Sequence, residues 1–209
     1  MNAIRSLPLR AALATATAAA ALLLTAFGSG DNTAGTGTTL PATASARVDT
    51  SLDKHNQADV TFAQTMTVHH RQAIEMAEMA RTRASSSDVK TLAAKIKREQ
   101  VPEIRTMVGW LKAWGEKVPR NTYGMRPGHP SDMPEMMNQR EMRALHRASG
   151  KSFDTMFLTM MIKHHQGAIQ MAKTEKTHGA YRPAKALANR IITTQTAEVT
   201  QMRKMLRTS

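Results

Sequence analysis

The chain has 209 residues and no cysteine, which excludes disulfides, zinc-finger sites and thiolate chemistry. Aromatic residues make up only 4% while methionine reaches 16 residues, more flexible thioether than packing alone calls for. The net charge of +13 is spread over positions such as Lys90, Lys95, Lys97 and Arg98 without interleaved aromatics, which reads as a solvated surface and argues against nucleic acid.

The first element is an address. Arg5 and Arg10 precede an Ala/Leu run from Ala11 to Ala26, a basic segment followed by an apolar one, as in an export signal. The run is shorter than the ~20 residues a spanning helix needs. The stretch Leu23–Gly30 resembles a lipoprotein cleavage box in which Phe27 stands where the lipid-bearing Cys belongs. Residues 1–27 are therefore expected to be an export signal or N-terminal anchor, and residues 28–54, rich in Gly, Thr, Ser and Ala, a flexible linker. The expected location is extracellular or on the outer face of the cytoplasmic membrane. Membrane contact is expected only through this segment.

The remainder, residues 55–208, is an internal repeat. Asp59, Phe62, Met66, His69, His70, Ala73, Ile74, Met76 and Ala77 recur at one constant offset as Asp154, Phe157, Met161, His164, His165, Ala168, Ile169, Met171 and Ala172. The correspondence continues from Gln100, Glu103, Ile104, Met107 and Leu111 to Gln195, Glu198, Val199, Met202 and Leu206. Repeat one spans 55–114 and repeat two 151–208. In each, apolar residues at helical spacing describe two helices. The first repeat breaks at Ala84–Asp88, where Ser87 or Asp88 suits an N-cap, and the second breaks near His178-Gly179 and resumes at Pro183. Pro102 is expected to kink or loosen its helix. No alternation of period two appears. Four amphipathic helices are most simply buried as an all-α four-helix bundle. The connector, 115–150, carries Met125, His129, Met133, Met136, Met137 and Met142 among prolines and glycines, with a short helix expected near Pro134–Arg147.

A helix advances about 100° per residue. With Met66 at zero, His69 falls at about −60°, His70 at about +40° and Met76 at about −80°, all on or beside the core-facing stripe. Met161, His164, His165 and Met171 repeat this geometry. On the partner helices Glu103 and Glu198, with Gln100 and Gln195, share the apolar face. Buried imidazoles, amides and carboxylates need partners. One reading is that Glu103 accepts a hydrogen bond from a histidine across the bundle and the methionines only pack. The other is a metal ion. Imidazole with thioether suits copper, Cu(I) above all and Cu(II) as well. The duplication of the His-His pair with its methionines favours metal. The metal set is then Met66, His69, His70, Met76, Glu103, Met161, His164, His165, Met171 and Glu198, with Met125, His129, Met133, Met136 and Met137 as secondary candidates. His55 and His146 read as surface residues. Glu175-x-x-His178 has the spacing of di-iron bundles, but Ala80 and Arg83 occupy the matching positions of repeat one, so it reads as coincidence.

Phe153-Asp154, Met161-Ile162, the run His164-His165-Gln-Gly-Ala168-Ile169-Gln-Met171-Ala172, then Gln195-x-x-Glu198 and Met202 resemble the bacterial domain-of-unknown-function 305 family. The resemblance covers roughly residues 55–207. It implies a ferritin-like four-helix bundle, mostly exported, of which some members are copper-binding resistance proteins. It implicates the two His pairs and Met66, Met76, Met161 and Met171. The first copy departs from the pattern at Thr67-Val68 and Arg71-Gln72, which implies half-sites of unequal affinity. Residues and resemblance together give the expectation of a copper-sequestering or copper-carrying protein with no catalytic residue, exchanging metal with another carrier or exporter. A structural or protein-interaction bundle of the cell envelope and a metal-dependent oxidase on the same fold are the rival readings.

Overall fold

The computed structural model describes residues 54–120 and 135–208. Five helices follow in order: α1 (Gln57–Arg83), α2 (Ser87–Ala113), α3 (Gln139–Arg147), α4 (Gly150–His178) and α5 (Arg182–Thr208). No strand occurs among the described residues, and no described helix is long and apolar enough to cross a membrane. The export signal, the linker to Asp53, Met125, His129 and Met133 lie outside the described residues.

Local chemistry sets the helix ends. Asn56 caps α1 by accepting from the backbone N–H of Ala58 and Asp59, while Asp59 accepts from the Asn56 N–H at 2.7 Å, a capping box. The cap of α2 is Ser86, one residue before the expected position, and it accepts from Val89 N–H. The helix continues through Pro102 and stops at Gly115, whose φ of 73° lets Glu116 N–H reach back to Leu111 C=O at 2.8 Å.

α1 and α2 form one hairpin, α4 and α5 the other, and α1 packs on α4. The two hairpins are joined by reciprocal bonds at either end. The Asp59 carboxylate accepts from the N–H groups of Ala180 (3.1 Å) and Tyr181 (2.9 Å) in the α4–α5 turn. The Asp154 carboxylate accepts from the N–H groups of Ser85 (3.1 Å) and Ser86 (2.9 Å) in the α1–α2 turn, and from the Ser85 hydroxyl. Each repeat thus begins with an aspartate that holds the other repeat's turn. This arrangement is possible only if α1 and α4 run antiparallel about a pseudo-twofold axis. α1 and α4 are consequently buried around most of their circumference, and α2 and α5 on one side.

The connector breaks the symmetry. Met137, Met142 and Leu145 bury against the second half of α1 and the first half of α4. Gln72 fastens this segment by a two-way clamp, its Nε2 donating to Met137 C=O and its Oε1 accepting from Met137 N–H, both at 2.8 Å. The position matching Gln72 in repeat two is Gly167, which offers no clamp. Among the described residues none fills the symmetry-related groove between the first half of α1 and the second half of α4, a cavity of about 560 Å³.

At the edge of that groove lies Glu175, 1% exposed, its carboxyl facing that of Asp59 and neither oxygen reached by a donor. Burial, reinforced by Asp59, pushes Glu175 up to about 9, so at neutral pH it is protonated and its O–H can donate to Asp59. Asp59 itself is held below its ordinary value: burial opposes this, but Glu175 and the three backbone N–H donors outweigh it.

Two predictions follow from these contacts. Asp154→Ala strands two turn N–H groups and is expected to cost about 1–3 kcal/mol in denaturant unfolding. The folded chain binds the Glu175 proton more tightly than the unfolded chain does, so its contribution is complete below about 4.5 and declines as pH rises toward 9. Glu175→Gln is therefore expected to match the native protein in Tm near pH 4.5 and to exceed it increasingly up to pH 9.

Candidate metal centre

The four paired histidines meet at the middle of the bundle. His69 and His164 stack across the pseudo-twofold axis, ring centroids 3.7 Å apart and planes tilted by 38°. His70 and His165 flank them, and all four rings are at most 1% exposed. Each flanking ring is tied to the carboxylate 33 residues ahead: His70 Nε2 to Glu103 at 2.8 Å, His165 Nε2 to Glu198 at 2.9 Å. The carboxylate reading of the sequence is thus realised as hydrogen bonding. Glu103 and Glu198 orient imidazoles, and among the described residues no group of three or more His, Asp or Glu surrounds one point.

That contact selects a tautomer. A neutral ring that donates Nε2–H to a carboxylate leaves Nδ1 as a bare lone pair. Nδ1 of both His70 and His165 is buried without a hydrogen-bond partner, as are both ring nitrogens of His164 and the Oε1 atoms of Gln100 and Gln195. Burial drives His164 well below its ordinary value, reinforced by the neighbouring His69, His165 and His70. Burial also lowers His165, against the pull of Glu198. Burial thus favours the neutral form of His164 and His165, the form that ligates metal. For Glu198, burial pushes upward, but His165 and Lys95 outweigh it and hold the carboxyl at about 2. Lys95 Nζ lies 2.7 Å from Glu198 and 3.1 Å from Glu99.

The methionines fall into two apolar clusters on either side of the histidines. Met66 and Met171 share one with Met107, and Met76 and Met161 share the other with Met202. The antiparallel packing therefore pairs the first thioether of one repeat with the last thioether of the other, not the two that flank one His pair in sequence. Met137 is buried in the connector clamp, and Met136 is half-buried. His55 stacks on Trp114 with centroids 4.3 Å apart, and His146 is exposed.

Between α2 and α5 runs a polar cleft of about 300 Å³ lined by Gln100, Glu103, Arg190, Gln195 and Glu198 among others. It reaches the carboxylates that hold His70 and His165. The donor set fits a soft metal: neutral imidazoles with free lone pairs, thioethers beside them and a polar approach. Sequence reasoning did not assign Gln72 or the two capping aspartates any role. The recurrence of Asp59 as Asp154 and the departure of Gln72 from Gly167 were the available signals.

The family model described as domain of unknown function (DUF305) matches residues 59–206. No curated protein matches the chain. A DUF305 protein from Streptomyces coelicolor, whose name describes it as secreted, is 32% identical, with a TM-score of 0.64 over 72% of this chain and 92% of that one. A DUF305 fragment from Deinococcus radiodurans is 30% identical, with a TM-score of 0.66 over 74% of this chain and 98% of the fragment. CopM in its Cu(II)-bound form is 37% identical, with a TM-score of 0.62 over 72% of this chain and 96% of CopM, and CopM structures with Cu(I) and with silver also match.

The buried ring of His164, which approaches the His69 backbone without a well-formed hydrogen bond, yields a stability prediction. In metal-free protein His164→Leu is expected to raise unfolding free energy by about 1–3 kcal/mol, because an apolar side chain removes two unsatisfied polar atoms. A lower Tm for the variant would show that His164 has a partner in the resting fold.

Proposed function

The chain belongs to the DUF305 family, and we propose that it is an exported copper-binding protein that sequesters Cu(I), and also Cu(II), as cargo at the centre of its bundle. The single observation that carries this reading is the stacked His69–His164 pair, buried on the pseudo-twofold axis beside His70 and His165, whose Nδ1 atoms are left bare. A structural bundle gains nothing from burying imidazole nitrogens that no donor reaches, such as Nδ1 of His70 and His165, since each costs stability. The copper-bound structures of CopM support the choice of metal. The basic and apolar N-terminal segment and the Streptomyces relative described as secreted support export.

His69 and His164 are the primary imidazole donors. His70 and His165 present Nδ1 while Glu103 and Glu198 hold their other nitrogen. Met66 with Met171, and Met76 with Met161, supply thioethers from the two sides. Imidazole and thioether together favour the soft Cu(I) ion and tolerate Cu(II). The polar cleft between α2 and α5 is the route inward. The connector donors Met125, His129, Met133 and Met136 are the residues through which a carrier or exporter takes or delivers metal, while Met137 is held in the Gln72 clamp.

The test is an anaerobic Cu(I) titration of the full chain against a competing chelator, beside a His69→Leu/His164→Leu variant. Tight binding that falls at least 100-fold in the variant is the expected outcome. Full retention would place copper elsewhere, and absence of tight binding in both proteins would leave the envelope structural role as the better account.

A further inference from the structure

The two ends of the bundle are related by the pseudo-twofold axis, and they differ in three ways at once. At one end the groove between α1 and α4 is filled by the connector, held by the Gln72 clamp. At the other, Gly167 replaces the clamp residue and the groove is open. In the filled groove the positions matching Glu175 and His178 are Ala80 and Arg83. In the open groove they are donors.

Met171, Glu175 and His178 follow at the i, i+4, i+7 spacing of one helix face and all line the open groove, with Thr174 between them. The Glu175 carboxyl is 1% exposed and paired with the Asp59 carboxylate, with Lys185 as the nearby cation. Asp59 is already committed to the Asn56, Ala180 and Tyr181 N–H groups. The two facing carboxyls share one proton, and a cation that binds Glu175 would displace it to solvent. His178 uses Nδ1 toward Thr174 C=O at 3.1 Å, so Nε2 is the ring atom left for a ligand.

We propose that this groove is a second metal site, in which Glu175 and His178, with Met171 at its inner wall, bind a divalent cation of borderline softness such as Cu(II). Carboxylate with imidazole is a harder donor set than the central imidazole–thioether cluster and suits the oxidised ion better. The site extends the copper reading above and shares its metal but not its histidines. Because Met171 also belongs to the inner cluster with Met66 and Met107, the groove borders the central donors.

Both tryptophans report on this end. Trp110 and Trp114 pack edge-on against Tyr181, whose N–H is bonded to Asp59. The experiment is calorimetric titration of the full chain with Cu(II), read together with tryptophan fluorescence, for the native protein, Glu175→Gln/His178→Ala and His69→Leu/His164→Leu. The groove variant is expected to bind one equivalent fewer and to lose most of the early fluorescence quenching. The central variant is expected to keep that equivalent, with an electron paramagnetic resonance signal showing a single imidazole nitrogen. Helical circular dichroism of each variant checks the fold. Unchanged stoichiometry and quenching in Glu175→Gln/His178→Ala would overturn the second site and leave a shared proton as the occupant. Loss of all Cu(II) binding in His69→Leu/His164→Leu would overturn it too while upholding the central site. Full retention there, with loss in the groove variant, would instead count against the centre.

Discussion

Two aspartates hold the architecture together. Asp59 and Asp154 each reach from the start of a long helix to the turn of the opposite hairpin and accept from its exposed backbone N–H groups. Charge-assisted bonds of this kind, from buried carboxylates, are stronger than neutral ones. They set α1 and α4 antiparallel and fix their register. With that register set, His69 can only meet His164, and the methionines can only pair across repeats.

The centre that results is poorly suited to stability and well suited to a soft ion. Four imidazoles lie in the buried interior, two of them braced by carboxylates, and no donor reaches Nδ1 of His70 or His165. An apolar core of the same volume would be more stable. The molecule keeps this strain tolerable through the surrounding Leu, Phe and Met clusters, and through Lys95, which steadies Glu198 from the solvent side. The cleft between α2 and α5 is lined by the carboxylates of Glu103 and Glu198, and the imidazoles they hold lie behind them.

Asymmetry between the repeats is where function diverges from duplication. Gln72 against Gly167 decides which groove the connector occupies. Ala80 and Arg83 against Glu175 and His178 decide what lines the other. A duplicated bundle has two equivalent ends by default. This one has closed the first with methionines and left the second open with a buried carboxyl pair.

The helices, their number and the two-hairpin plan were legible in the sequence, because apolar spacing and an internal repeat are properties of the chain read along its length. The inward placement of both His pairs followed from the same spacing. The brace by Glu103 was foreseen only as one of two readings, since a Glu on an apolar face is compatible with a metal or a hydrogen bond until the facing atom is known. The stack of His69 on His164, the cross-pairing of the methionines and the capping of one hairpin by the other depended on residues far apart in sequence meeting at one register. Glu175 and His178 were set aside because repeat one lacks them. Only the tertiary structure, by leaving the groove over them empty, gave that difference a meaning. Local periodicity determines which side of a helix is buried, whereas the partner it is buried against is decided by packing between helices, which no single segment encodes.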